Sequence, residues 1–481
     1  NSVFLISNDT NRDAQHIWYN SGEIKTYTTD TAIFTINSDN NSNTANKIDI
    51  VIDNKGKIEM TGNKSVGVYA KAAKSYDHVD SDGKNYTFGS LKMNFADDDN
   101  GTNRKPIVLY GDNSIGLYVL EKFRPSNEKI SGNFHVDIGD TSGQANKLIN
   151  IDSGETNGGL SINDYEGENI DLETIDGSIG ILSHNGMNLS SHGINIYENT
   201  KDSIGVVPLR ETSVSTVPTL KLGKGSIELL GGENNIGILA MNFYSGAALT
   251  HKGGNVLTKG SVVLSKGNKN VGIIAKEGYK VSVKELKTIG EAAANAIGIY
   301  GDGNGTSIVV EEGVKNLKLK VDSPANTNTV NAVAAYSSNG AKITMNKLSL
   351  NNSLDIEVTG AKVSGEEKSY RGIGLMASDG TIEAQKTNIK VSNGAAGIVS
   401  LGIDGFIDLK GGQLEVDNGY AVYSDGTGKI DMQNSTIILG GNATAFDIYK
   451  SGTNPLTVTG TTVKVVSNDV IVFNVKNITA P

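Results

Sequence analysis

Residues whose types could do chemistry are few in this chain, and they are scattered. The only Asp cluster is Asp97-Asp98-Asp99, beside Asn100-Gly101. Two carboxylates work as acid and base only at a controlled separation, which three adjacent acids in a polar loop do not supply. Histidine stands at 16, 78, 135, 184, 192 and 251, with no pair at metal-ligating spacing. His184 and His192 flank Asn185–Ser191 and read as a surface pair. Asp80-Ser81-Asp82-Gly83 has the middle of a calcium loop, but positions one and twelve would be His78 and Ser90, so the cage is incomplete. Gly301-Asp302-Gly303-Asn304-Gly305 reads as a turn. Asp152-Ser153-Gly154 lacks the Gly that precedes a serine-protease nucleophile. No set is complete, so neither catalysis nor a metal nor a cofactor is expected. Aromatic residues in or beside irregular stretches are the remaining candidates, because exposed aromatics are enriched at binding hot spots. They are Tyr76, Tyr86, Phe88, Phe95, Phe123, Tyr165, Phe243 and Tyr244.

The elements that must position these residues announce themselves by repetition. An aliphatic residue, Gly, an aliphatic residue and a large apolar residue recur, usually followed by Ala or Ser. Examples are Val66-Gly67-Val68-Tyr69-Ala70, Ile115-Gly116-Leu117-Tyr118, Ile179-Gly180-Ile181-Leu182, Ile236-Gly237-Ile238-Leu239, Ile297-Gly298-Ile299-Tyr300 and Ile373-Gly374-Leu375-Met376. Near the C-terminal end three short alternating strands repeat together. The first carries Ile382, Ile407 and Ile430, the second Ile389, Leu414 and Ile437, the third Gly397, Ala421 and Ala445. The spacing is about 24 residues, with Gly, Asn and Asp between strands. This predicts an all-β fold, a right-handed parallel β-helix (solenoid) with three short strands per coil. Left-handed hexapeptide coils need only about 18 residues and a six-residue period, which is absent. The step of 49 between Gly67 and Gly116 reads as two coils, and the step of 76 from Gly298 to Gly374 holds a degenerate copy at Ala334-Ala335-Tyr336. Excess chain predicts loop insertions at 71–105, 121–175 and 198–220. Alternation places the large residue of the phrase on the face of the Gly, with Val66, Val68 and Ala70 opposite.

Composition agrees with this reading. Of 481 residues 58 are Gly and 7 Pro, so tight turns are plentiful and Pro-rich linkers absent. Cys is absent, which excludes disulfides and thiolate metal sites. A net charge of −10 disfavours nucleic acid, whose binding rests on Lys and Arg. Arg occurs only at 12, 104, 124, 210 and 371, so the Arg-x-Lys strand of polysaccharide-cleaving β-helices is missing. No apolar stretch approaches the length of a membrane helix, and the chain opens without a signal-peptide pattern. It begins and ends within patterned sequence and reads as one elongated segment, 1–481, of a longer protein.

The phrase with its lead-in, as in Asn63-Lys64-Ser65-Val66-Gly67-Val68-Tyr69-Ala70 and Asn113-Ser114-Ile115-Gly116-Leu117-Tyr118, resembles the passenger region of large fusobacterial type Va autotransporter adhesins. The resemblance runs over residues 60–445 and marks the scaffold, so it carries no binding residue across. It implies a monomeric segment at the bacterial cell surface, tied to the outer membrane through a C-terminal barrel outside this sequence. The implied partners are a host-cell receptor protein, a host glycan or another bacterium. The alternatives are a passive spacer stalk and a carbohydrate-active β-helix enzyme.

Overall fold

The computed structural model describes residues 2–7, 14–37, 48–72, 90–95, 104–121, 130–139, 160–163, 169–172, 177–184, 186–198, 200–210, 217–243, 252–322, 332–347, 353–361, 371–425, 427–449 and 455–476. Among them every regular element is a strand, and the long sheets are parallel, as a β-helix requires. The chain divides into two compact units, Asn1–Gly260 and Ser261–Pro481.

In the first unit the recurring phrase forms one wall. Ser2–Ser7, Ala32–Asn37, Val66–Ala72, Ile115–Glu121, Ile179–His184, Ile204–Leu209 and Ile236–Ala240 pair in that order, all parallel. In the second unit the wall runs from Val271–Lys276 through Ile297–Asp302, Ala332–Ser338, Gly372–Ser378, Ala396–Leu401, Tyr420–Ser424 and Thr444–Tyr449 to Ile471–Lys476. The remaining strands of each coil make the other walls. Thr381–Ser392 and Phe406–Asp417 each carry two of the expected short strands, bent in the middle at Lys386 and at Gly411-Gly412. Both bends lie at positive φ. Inward residues of successive coils stack in columns: Ile343 on Ile382 on Ile407 on Ile430, each at most 1% exposed. Every such aliphatic side chain contributes about 1.5–3 kcal/mol on burial.

The Gly of the phrase breaks the strand alternation, and this corrects the expected faces. Register passes from Val66↔Ile115 directly to Val68↔Leu117, skipping the Gly, and the same skip recurs in the other coils that carry the phrase. Gly67 faces the interior together with Val68 and Ala70. A Cβ on it would stand 2.6 Å from the Gly116 carbonyl oxygen and 2.7 Å from the Ile107 side chain. The same geometry recurs at Gly116, Gly180, Gly205, Gly272, Gly298, Gly374 and Gly397, each meeting the next coil's carbonyl at 2.4–2.7 Å. The first and fourth residues of the phrase share the outer face instead. There Val333, Ile373, Met376, Ala396 and Val399 form a separate apolar cluster with Tyr336, Tyr420 and Tyr423 against it.

The lead-in is a corner. Asp30, Lys64, Asn113, Asp202 and Asn234, two places before their strands, all sit at φ of 53–55°, a left-handed conformation that Asn and Asp adopt most readily among residues with a Cβ. The residue after it carries a polar ladder. The amide of Thr31 donates to Ser65 Oγ, Ser65 to Ser114, Ser114 to Ser178, Ser178 to Ser203 and Ser203 to Asn235 Oδ1, at 3.0–3.4 Å. Buried backbone amides at a turn are thereby satisfied across coils.

Insertion boundaries also change. Val66–Ala72 pairs directly with Ile115–Glu121, so the step of 49 is a single coil rather than two. Its other walls are Ser90–Asn94 and Ile107–Leu109, both within or just after the range 71–105. Ile130–Ile138 lies inside 121–175 and Ile204–Leu209 inside 198–220, and both are strands of the helix. What departs from the parallel scheme in 121–175 is an antiparallel hairpin, Leu160–Asn163 with Asn169–Leu172. The step of 76 is two coils, with Ala332–Ser338 as the intermediate copy.

Candidate functional site

In the first unit Ile130–Ile138, Gly186–Ile196 and Thr219–Leu229 lie side by side, with Asn133↔Ser191↔Lys224 in register. Strand alternation sends Phe134, Val136 and Ile138 inward, all at most 3% exposed. His135 and Asp137 must therefore face outward. Register then fixes two outer columns, His135–Gly193–Ser226 and Asp137–Asn195–Glu228. Arg104, just before the strand Ile107–Leu109, reaches the same place.

Gly193 is what lets these groups meet. A Cβ there would stand 2.4 Å from His135 Nδ1 and 3.0 Å from Arg104 Cζ and Nη1, so the imidazole and the guanidinium converge over a missing side chain. Asn195 Nδ2 donates to Asp137 Oδ1 at 2.8 Å, Ser226 Oγ donates to Glu228, and Arg104 Nη2 makes one long contact of 3.5 Å with Ser226 Oγ. His135, Asn195 and Ser226 are buried, whereas Arg104, Asp137, Tyr197 and Glu228 are half-exposed. Both ring nitrogens of His135 and Oδ1 of Asn195 are buried without a hydrogen-bond partner.

Burial sets the ionisation states. It pushes His135 down to about 4, helped by the Arg104 charge, so the imidazole is neutral at physiological pH. It raises Asp137 to about 6, against the opposing pull of the Asn195 hydrogen bond and Arg104, with Glu228 adding to the rise. Tyr197 is pushed up to about 12, by burial first and then by Asp137. The cluster thus places neutral and charged acceptors beside the Arg104 guanidinium.

His192 belongs elsewhere. It occupies the strand Gly186–Ile196 rather than flanking a loop, and it points inward in register with Phe134 and Gly225. Phe134 in turn packs edge-on against Phe95 at 5.1 Å. Phe95, expected at a partner surface, is fully buried in this interior column, because its backbone amide is held by Asn133 Oδ1 at 2.6 Å and its ring fills the core. Phe243 is half-exposed. Tyr76, Tyr86, Phe88, Phe123, Tyr165 and Tyr244 lie outside the described residues, as do the acidic run 97–99 and the segments 80–83 and 152–154. Of the segment 301–305 expected as a turn, Gly301 and Asp302 end the strand Ile297–Asp302, and the turn follows at Gly303-Asn304-Gly305, with the Thr306 amide donating to the Gly303 carbonyl at 3.2 Å. Among the described residues no three His, Asp or Glu side chains are placed to hold a metal ion.

Reading histidines and acids one at a time misses the outer cluster. The signal that finds it is alignment of His135-Val136-Asp137, Gly193-Ile194-Asn195 and Ser226-Ile227-Glu228 on their central aliphatic residue, which stacks the flanking polar positions. No protein-family model, curated protein or solved structure matches this chain.

Proposed function

We propose that this chain is a segment of a bacterial cell-surface adhesin, exported as an autotransporter passenger, that binds a host receptor protein, a host glycan or another bacterium through the outer face of its β-helix. The observation that carries the reading is the contrast between the columns of apolar side chains inside each unit and the outward cluster of polar groups around Gly193. A scaffold that keeps its unspent hydrogen-bonding capacity on one outer patch is suited to recognition. Binding is favoured over cleavage because Asn195 occupies the place between Asp137 and Glu228 in their column. A bond to be hydrolysed, and the water to attack it, need that place.

The test is retention of the purified chain on host epithelial cells, immune cells and other bacteria. Saturable retention on at least one of them is expected. Absence of retention on all, while a longer form of the protein adheres, would make the segment a spacer.

A further inference from the structure

An asparagine followed by glycine carries a reaction of its own. The glycine amide nitrogen attacks the Asn Cγ and closes a five-membered ring. The amide proton passes to the side-chain nitrogen, which leaves as ammonia. Water then opens the ring at either carbonyl and leaves aspartate or isoaspartate. The attack is intramolecular, so its rate depends on how freely the two groups meet, and glycine puts no side chain in the way. Four such pairs lie among the described residues, all in the second unit: Asn304-Gly305, Asn339-Gly340, Asn393-Gly394 and Asn418-Gly419.

Three of the four are tied down. Gly340 donates its amide to the Asp379 carbonyl at 2.6 Å, and Gly394 donates to the Asn418 carbonyl at 2.5 Å. The Asn339 carboxamide is also held, with Nδ2 donating to Asp302 Oδ1 at 2.7 Å. In Asn418 both ends of the carboxamide are engaged. Oδ1 accepts the Asn442 amide at 3.0 Å, and Nδ2 donates to Asp417 Oδ1 at 2.9 Å. Asn339, Asn393 and Asn418 moreover sit in the left-handed region, at φ of 50–55°. Each must give up native bonds before its ring can close.

Asn304 differs in each respect. It lies outside the left-handed region. Both Asn304 and Gly305 are exposed, and among the described residues neither the Gly305 amide nor the Asn304 carboxamide has a hydrogen-bond partner. The Asn304 side chain rests over Gly340, where a Cβ would stand 1.9 Å from Oδ1, but no hydrogen bond fixes it there. Space around the attacking amide is open, since a Cβ on Gly305 would find its nearest neighbour, Gly278 Cα, at 3.7 Å. The turn is anchored on either side instead. Gly303 donates to the Ser338 carbonyl and Thr306 to the Gly303 carbonyl, both at 3.2 Å, and Thr306 Oγ1 accepts the Gly278 amide at 2.9 Å.

We propose that Asn304 is a site of spontaneous deamidation, the first of these four pairs to convert, and that the fold selects it. The anchoring bonds lie outside the peptide that changes. The coil therefore holds while its corner gains a negative charge two residues from Asp302. Nothing in this depends on what the chain adheres to.

The test is incubation of the whole chain in mildly alkaline buffer, followed by peptide mapping with mass spectrometry that reads each Asn-Gly pair separately. Peptides carrying the pairs at 100, 157 and 185, outside the described residues, are kept out of the comparison. Asn304 is expected to convert roughly tenfold faster than Asn339, Asn393 or Asn418, the factor that one retained hydrogen bond of about 1.4 kcal/mol implies. In concentrated urea the four rates should converge, because glycine follows in every case. The proposal is overturned if Asn339, Asn393 or Asn418 converts as fast as Asn304 in the folded chain, or if Asn304 stays intact. It is equally overturned if the tenfold gap persists in urea, because local sequence and not the fold would then set the order.

Discussion

The two units are built from the same coil and differ in the polar groups they place at its corner and on its outer face. Asn1–Gly260 contains all six histidines, the buried serine ladder at its corner and the outer cluster around Gly193. Ser261–Pro481 contains no histidine, and after a buried Asn270 in its first coil small apolar residues hold the equivalent corner at Ala296, Ala395 and Ala443. It holds a buried ion pair, Lys347–Asp355, and carries others on its surface. Glu285 joins Lys287 and Lys315, Lys342 joins Glu383, and Lys390 joins Glu415. Coil spacing differs in the same sense, since the final coils of the second unit repeat at about 24 residues while the first unit tolerates steps of 49 and 64. A regular coil can satisfy itself with apolar columns. An interrupted one brings in polar residues, and these are the raw material of a site.

The contrast can be broken hardest with acid. His135 and His192 lie at about 4 and about 3 in the folded chain, each driven down first by burial, against an ordinary value of 6.5. Below pH 6.5 the unfolded chain takes up protons that the folded one refuses, so the first unit loses stability progressively down to about pH 3. Asp137 acts the other way. Raised to about 6 from 3.8, it favours the folded chain as pH falls from about 6 to 4, and one carboxyl offsets only part of two imidazoles. In the second unit Glu285 is held down at about 2 by Lys287, Lys315 and Ser261 in spite of its burial, so its contribution persists until pH falls below 4.5. Hydrogen exchange at pH 7 and pH 5 should show amides of the first unit losing a few kcal/mol of protection, with those of the second unchanged. Equal loss in both would remove the distinction.

Next in size is the interior glycine, which the two units share. Gly298→Val would push side-chain carbons toward the Ala334 carbonyl and Leu317, where a Cβ alone already stands at 2.4 and 2.9 Å. A loss of about 3 kcal/mol is expected from denaturant unfolding. Ala334 and Ala421 hold the same place in their coils, so Gly298→Ala should cost much less. Smaller still is His192→Phe. It replaces an imidazole without partners by a ring that extends the Phe95–Phe134 column, and should stabilise the first unit by about 1–3 kcal/mol in thermal unfolding. Smallest is Lys315→Met. It removes a half-exposed partner of Glu285 that Lys287 still holds, and should cost less than about 1 kcal/mol, less again at high salt.

The architecture was readable because a coil writes its period into the chain. Ile382, Ile407 and Ile430 are legible as a column without coordinates, and the structure stacks them as such. The faces of the phrase were not, because Gly67 disrupts the alternation that a period-two rule assumes, and a residue absent from the ladder leaves no mark in a list of letters. The outer cluster was hidden for a related reason. Its columns pair residues 135, 193 and 226, which become neighbours only after the inserted chain between them has been assigned to coils. Phe95 was misplaced by its setting, a strand end beside a polar run, when its ring belongs to the interior.

The glycine that recurs in eight of the coils has a further consequence. Parallel strands are prone to slip, and a slip of one residue exchanges the inner and outer faces of everything downstream. At the eight coils that carry this glycine, a shifted strand would drive a side chain into the neighbouring carbonyl at 2.4–2.7 Å, so misaligned pairing is rejected there. Ile33, Ala334 and Ala421 hold the same place in coils without that check, so an error runs no further than the next glycine. New segments can therefore be inserted between two glycines without disturbing the phase of the later coils, and such a scaffold can acquire new surfaces without first redesigning its core.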